Sequence, residues 1–347
     1  MNADATALTG AEAPVMVIAR QAGGVPDEGF RIFIRELAKR LRAKGPAVVY
    51  TAGGEPAPGM VLVSNLRPLV SIELQRAIRR HRPRAIIYIH RLTTLALLRA
   101  RYFKLLGRGC RTVVIDLQPS GLGWLGRLLG RGLWPDLLLV ASEADRRRVA
   151  ALGATVKIIA MATDLGRFRP ADPGEKEVIR HRWGLPAETD LVLHVGHLKG
   201  SRNLLSLVPI AGRPNTTVAV VVSRGREASS DALQAELEAA GVVVLEGYRP
   251  DVEEIYRAAD CYVFPVIDSA GAIAMPLSVL EALASDVPVV TTSYGALPDR
   301  FTGVEGVLFA DTAEAIRAAV EEQLRRRPAG RRLAEPFTWD AVIQGLL

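Results

Sequence analysis

The stretch PLSVLEALASDVPVVTTSYGALPD (276–299) decides the fold. Pro276 suits the opening of a helix, where its missing amide hydrogen is one of those left unpaired anyway. Leu280 and Leu283 fall on the inward face of that helix, and the chain runs straight on into the apolar, β-branched run VPVV. A helix feeding directly into a buried strand is half of a βαβ unit. The free amides at its start make a ready site for a diphosphate. Glu281, about one turn in, has the reach and the two acceptor oxygens to take a ribose hydroxyl pair. An acid near a helix start is also what the helix dipole favours without any ligand.

The same alternation runs outward along the chain. VMVIA (15–19), AVVYTA (47–52), MVLVSN (60–65), AIIYIH (85–90), TVVIDL (112–117) and LLLVAS (137–142) read as buried parallel strands. Helical patterns separate most of them; in 30–45 Phe30, Phe33, Ile34, Leu37 and Leu41 share one face and Gly45 ends the run. VKIIAM (156–161) is followed by the polar stretch ATDLGRFRPADPGEKE. A second strand series then begins at LVLHVG (191–196) and continues through TVAVVVS, VVVLEG, CYVFPV, VPVVTTS and GVLFA. The expectation is an α/β protein of two Rossmann-like domains. We place a disordered tail over 1–13, a first domain over 14–165, a second over 166–335 and a tail returning toward the first domain over 336–347. Ligands of such sheets bind beyond the carboxyl ends of the strands, so the residues just after each strand are the ones to inspect.

Composition narrows the classes. With 347 residues, 49% hydrophobic and 23% charged, the chain is neither disordered nor low-complexity. Cys110 and Cys261 stand far apart with no Cys-x-x-Cys spacing, which argues against a disulfide framework and a zinc site. The sequence has no secretory-signal pattern and no apolar run of spanning length. The net charge of +7 hides a split: residues 1–170 carry 27 Lys/Arg against 12 Asp/Glu, while 171–347 carry 17 against 25. Arginine-rich codon usage (38 Arg to 6 Lys) acts on both halves and does not explain the asymmetry. Nucleic acid and an anionic membrane are the partners that suit a basic half. Nothing beyond charge supports nucleic acid, since no zinc finger, RNP-like strand or recognition helix is present. The segments LALLRARYFKLLGRG (95–109) and GLGWLGRLLGRGLW (121–134) mix Leu and Arg, the second with Trp124 and Trp134, as interfacial helices do. The expected location is therefore cytoplasmic, peripheral on the inner face of the cell membrane.

Three further features converge. GHLKGSRNLL (196–205) follows the first strand of the second series and sets Lys199 and Arg202 beside glycines, ahead of a helix. GYRPD (247–251) follows a strand, and Ile255-Tyr256 precedes Ala258-Ala259-Asp260 and a strand ending in Pro265. With LEALASDVPVV, with MATDLGRFRP (161–170) between the domains and with FTW (337–339), the chain resembles the glycosyltransferases of family 4. The resemblance implies a GT-B fold, two Rossmann-like domains facing each other across a cleft. It also implies transfer of a hexosyl group from a nucleotide sugar, as a retaining hexosyltransferase without an obligatory metal or other cofactor.

By match to the family's motifs, Glu281 holds the ribose while Lys199 and Arg202 neutralise the leaving diphosphate. Tyr248 and Arg249 belong to the donor side. Amides of Leu277, Ser278, Val279 and Leu280 cap the phosphates, and Gly23 and Gly24 let the first domain's backbone approach the same group. Two residues at strand ends of the first domain, Asp116 and His90, are the candidates to meet the acceptor hydroxyl. Each also has a plain structural reading, Asp116 as the cap of the loop before Pro119 and His90 as a packed, hydrogen-bonded ring. One departure stands out: the family's upstream Glu is Ile273 here.

The expected function is transfer of a sugar from a UDP- or GDP-sugar to a saccharide acceptor, lipid-linked and used in envelope or exopolysaccharide synthesis. The alternatives are a non-catalytic sugar-nucleotide-binding partner, which Ile273 suggests, and a GT-B nucleotide-sugar epimerase.

Overall fold

The computed structural model describes residues 13–20, 22, 29–53, 56–64, 70–118, 122, 132–159, 161–222, 230–268 and 272–346. The chain divides into two compact units at 160/161, with the residues from Val342 onward grouped with the first.

The first unit is built on a seven-stranded sheet: β1 (Val15–Arg20), β2 (Ala47–Ala52), β3 (Met60–Val63), β4 (Ala85–Ile89), β5 (Arg111–Asp116), β6 (Leu137–Val140) and β7 (Val156–Ile158). Their order is β3-β2-β1-β4-β5-β6-β7 and every pairing is parallel. The near-continuous apolar strands have this cause, since a parallel sheet is covered on both faces. The helix Gly29–Lys44 buries Phe33, Ile34, Leu37 and Leu41 and ends at Gly45, whose φ of 154° suits a residue without Cβ. Ser71 and Thr93 accept the amides of Leu74 and Ala96, capping the helices Ile72–His81 and Thr94–Leu106. The order reverses between β1 and β4, so the crevice beyond their carboxyl ends is this unit's expected binding position.

The second unit repeats the plan with six strands: β8 (Asp190–Gly196), β9 (Thr216–Val222), β10 (Val243–Glu246), β11 (Cys261–Phe264), β12 (Val289–Thr291) and β13 (Val307–Phe309), ordered β10-β9-β8-β11-β12-β13. Here the reversal lies between β8 and β11, paired through Cys261↔Val192 and Tyr262↔Leu193. A buried ion pair fixes the amino end of that junction. The Arg180 guanidinium lies 2.5 Å from the Asp260 carboxylate and also donates to the carbonyls of Ala258, Ala187 and Thr189. Asp260 in turn accepts the Leu191 amide at 2.9 Å and the Lys176 ammonium at 2.8 Å. Every hydrogen-bonding direction of the pair is met, which is the condition for such a pair to be tolerated in a core.

The segment 161–170 packs into this unit. Phe168 is buried edge-on against Tyr256, with ring centroids 5.6 Å apart. Arg331 donates to the carbonyls of Leu165 and Phe168. Among the described residues, no helix is long and apolar enough to cross a membrane.

Candidate functional site

The helix Leu277–Ala284 buries Leu280 and Leu283 completely and leads through a turn into β12. Pro276 stands one residue before the helix, with φ −65° and ψ 129°, as its cap residue rather than its first helical one. The entry to this helix is clamped from the other side of β12. The Tyr294 hydroxyl accepts the Ala272 amide at 3.0 Å and donates to the Ala272 carbonyl at 2.5 Å, and the Ala296 amide donates to the Ala274 carbonyl at 2.8 Å. Gly295 between them has φ +56°, and a Cβ there would stand 2.2 Å from the Ala274 oxygen. No side chain fits, so glycine is the residue that lets the loop approach. Ile273 lies buried in this clamped loop and brings no carboxylate to it.

Glu281 is half-buried on this helix. Burial pushes its carboxyl up from 4.5 to about 7, opposed by the Tyr256 hydroxyl and the Arg167 guanidinium and reinforced by Glu253. Tyr256 is fully buried, and its hydroxyl faces that carboxylate without a hydrogen bond of normal geometry. Arg167 is itself held by Glu253 at 2.8 Å and by the Pro250 carbonyl at 2.6 Å. Tyr262, on β11, lies between the two halves of the candidate site: burial raises its hydroxyl, while Ser278 and Arg202 lower it and Glu281 raises it. Glu281, Ser278 and Arg202 therefore all act on one buried tyrosine, the second residue of β11.

The loop after β8 reaches the same place. Lys199 and Arg202 are both half-buried, and the Arg202 amide donates to the Lys199 carbonyl at 2.9 Å in a short turn. Asn203, with φ +55°, donates from Nδ2 to the Pro265 carbonyl at 3.1 Å and ties this loop to the end of β11. Beneath it lies His194, fully buried on β8. Its Nδ1 lies 2.9 Å from the Val263 carbonyl oxygen, so that nitrogen carries the hydrogen and Nε2 is a bare acceptor with no partner. Burial drives this imidazole down to about 4. A Cβ on Gly196 would come within 2.8 Å of Nε2, so the glycine after β8 makes room for the ring.

The remaining donor-side candidates contribute in other ways. Tyr248 is exposed, and the exposed Arg249 lays its guanidinium over the Trp183 ring at 5.1 Å. Leu277, Val279 and Leu280 contribute buried side chains, leaving their backbone as the part available to a ligand.

In the first unit, His90 and Asp116 end adjacent strands, next to the paired residues Ile89↔Ile115. The Asp116 carboxylate is buried and accepts the amides of Leu92 at 3.0 Å and Gln118 at 3.2 Å, so it holds both loops in place. His90 points Nδ1 at the Arg91 carbonyl, 2.8 Å away. Burial lowers its pKa; that contact opposes the shift, and the guanidiniums of Arg99, Arg20 and Arg91 deepen it, leaving a neutral ring at pH 7. Gly23, Gly24 and Trp124 lie outside the described residues, as does most of 121–134. Among the described residues, no group of three or more His, Cys, Asp or Glu is placed to hold a metal ion.

Tyr262, His194 and the Tyr294–Gly295 clamp carry much of this geometry, and residue spacing alone does not single them out as site residues. The available signal was a His inside the otherwise apolar run LVLHVG, and Tyr-Gly directly after a strand.

Comparison with known proteins agrees with the geometry. Residues 189–326 match the family described as Glycosyl transferases group 1. The chain is 33% identical over 257 residues to a D-inositol 3-phosphate glycosyltransferase of Frankia alni, covering 64% of this chain and 61% of that protein. It thus spans about three fifths of that relative's length. Its fold superposes on sucrose-phosphate synthase of Thermosynechococcus elongatus with a TM-score of 0.74 at 18% identity, covering 96% of this chain and 97% of the other. It superposes on Anabaena HepE, solved in complex with UDP, with a TM-score of 0.75 at 16% identity, covering 95% and 98%. Residues 189–326 thus resemble the glycosyl transferases group 1 family, in a chain whose two-unit α/β fold is that of the GT-B structures it superposes on.

Proposed function

We propose that the protein transfers a hexosyl group, with retention, from a UDP- or GDP-sugar to a saccharide acceptor that is lipid-linked and serves envelope or exopolysaccharide synthesis. The observation that carries this reading is the meeting of Glu281, Ser278 and Arg202 around Tyr262 at the switch point of the second sheet. A carboxylate there accepts from the two ribose hydroxyls, and its ionisation is matched to neutral pH. The Arg202 guanidinium, with Lys199 on the same loop, sits where diphosphate charge grows as the glycosyl bond breaks. Fixed cations and helix-end amides aimed at that charge stabilise the transition state more than the ground state. No metal enters this scheme. In the first unit the neutral His90 has a free-base nitrogen suited to orient an acceptor hydroxyl.

A thermal-shift panel of UDP-, GDP-, ADP- and TDP-sugars tests the donor side, because a ligand of the folded state raises the melting point by mass action. A shift with one base, abolished by Glu281→Ala, is the expected result. Normal nucleotide binding by that variant would overturn the ribose assignment. Tight binding without donor turnover across the panel would favour a non-catalytic sugar-nucleotide-binding partner.

A further inference from the structure

We propose that the helices Ile72–His81 and Thr94–Leu106 form the face by which this protein docks on an anionic lipid bilayer. The proposal rests on the lipid-linked acceptor reading above and gives it a surface.

The helix Thr94–Leu106 buries Ala96, Leu97, Ala100, Phe103 and Leu106 against the sheet, which satisfies its need for a core-facing stripe. Its opposite side carries a second apolar stripe. Leu95, Leu98 and Leu105 are 40%, 39% and 64% exposed, and with Tyr102 they recur at the three- and four-residue spacing of one helical face. Single exposed leucines need no explanation, but an aligned row on a solvent face does. The neighbouring helix Ile72–His81 is held alongside by the Tyr102 hydroxyl, which donates to Gln75 Oε1 at 3.1 Å, and it adds Ile72 at 63% exposure.

Charge selects the occupant. From Ile72 to Arg108 the sequence holds nine arginines and one lysine against a single acid, Glu73. Arg76, Arg79, Arg80 and Arg101 are exposed on the two helices, while Lys104 is engaged by Asp136. Glu73 is occupied by the Ser64 hydroxyl at 2.7 Å. Exposed apolar side chains on helices that carry four exposed arginines and a single acid, Glu73, complement a layer of anionic headgroups over acyl chains. A protein partner would need a matching acidic rim around a leucine groove, whereas the bilayer offers both layers everywhere.

The test is co-sedimentation of the full chain with vesicles of phosphatidylglycerol and phosphatidylcholine, beside vesicles of phosphatidylcholine alone. The wild type should bind the anionic vesicles, and the bound fraction should fall as salt rises. Leu98→Glu/Leu105→Glu should reduce binding about tenfold or more, while Val178→Glu, at an exposed apolar position in the second unit, leaves it unchanged. Unaltered melting curves establish that the variants fold. Equal binding by the double variant overturns the assignment of this face and leaves a lipid-linked acceptor standing. Failure of the wild type to bind anionic vesicles overturns both. A wild-type dimer that the double variant splits shows the face to be a subunit interface and also overturns the proposal. Transfer to a water-soluble acceptor, measured on the same variants, reports the catalytic reading separately.

Discussion

Replacing Glu281 with Gln should stabilise the ligand-free protein in a pH-dependent way. The carboxyl ionises near 4.5 in the unfolded chain and near 7 in the folded one, because folding withdraws it from water faster than Tyr256 and Arg167 compensate. Below pH 4.5 both states hold the proton, and the group costs nothing. As pH rises toward 7 the unfolded chain releases its proton while the folded one keeps it, so stability falls across this window and is flat above it. A shift of 2.5 units corresponds to about 3 kcal/mol. Because Glu281 retains some solvent contact, roughly 2 kcal/mol is the working figure. Gln has no such titration. The gap between Glu281→Gln and wild type should therefore widen by about 2 kcal/mol between pH 4.5 and 8, or about 4–8 °C in melting temperature. Calorimetric scans at intervals across that range measure it. A gap that stays constant with pH, or a wild type that gains on the variant in alkali, refutes the reasoning. The same carboxylate should bind a ribose diol better once ionised, so nucleotide affinity should rise through pH 7 in wild type and not in Glu281→Gln. Stability lost at this position is then regained in ligand binding.

Four other outcomes follow from the geometry. His194 mirrors Glu281: its pKa falls from 6.5 to about 4, so stability present above pH 6.5 should be lost as pH falls to 4, and His194→Gln should flatten that acid limb in denaturant titrations. Gly295→Ala should cost roughly 2–4 kcal/mol by urea unfolding and weaken nucleotide binding as well, because it forces the 272–275 loop off the helix entry. Arg180→Met should cost about 3–5 kcal/mol by taking the guanidinium from buried Asp260 and leaving three carbonyls without their side-chain donor; Arg180→Met with Asp260→Asn should recover part of that loss. In NMR titrations His90 should protonate below pH 6.5, and Arg20→Gln should move its midpoint upward by removing one of the opposing charges.

The alternation of apolar runs and amphipathic stretches was enough to place the strands, because parallel strands buried on both faces leave an unmistakable apolar signature. VMVIA and TVAVVVS fall within one residue of β1 and β9. Strand order was not legible, since every such run looks alike and its neighbours are chosen by packing across the sheet. Candidate residues were legible where residue type at a fixed spacing singles them out, as with Glu281 and Arg202, which the fold brings to bear on the same tyrosine. They were illegible where function depends on what lies behind. Tyr262 reads as an ordinary strand aromatic until β8 and β11 are seen to be adjacent. Asp116 carried two readings at its strand end, and the fold shows the loop-capping one in its bonds to the amides of Leu92 and Gln118.

The first unit is assembled from two separated pieces of chain, while the second is one continuous run, residues 161–341. During synthesis, domains generally fold as they emerge, from the amino end. The leading piece must therefore wait through translation of the whole second unit before residues from Val342 onward can join it. Loop closure over that interval grows only logarithmically with length, so the delay is set by the ribosome rather than by chain entropy. The continuous unit is the one able to complete itself first, which reverses the order that chain direction alone implies.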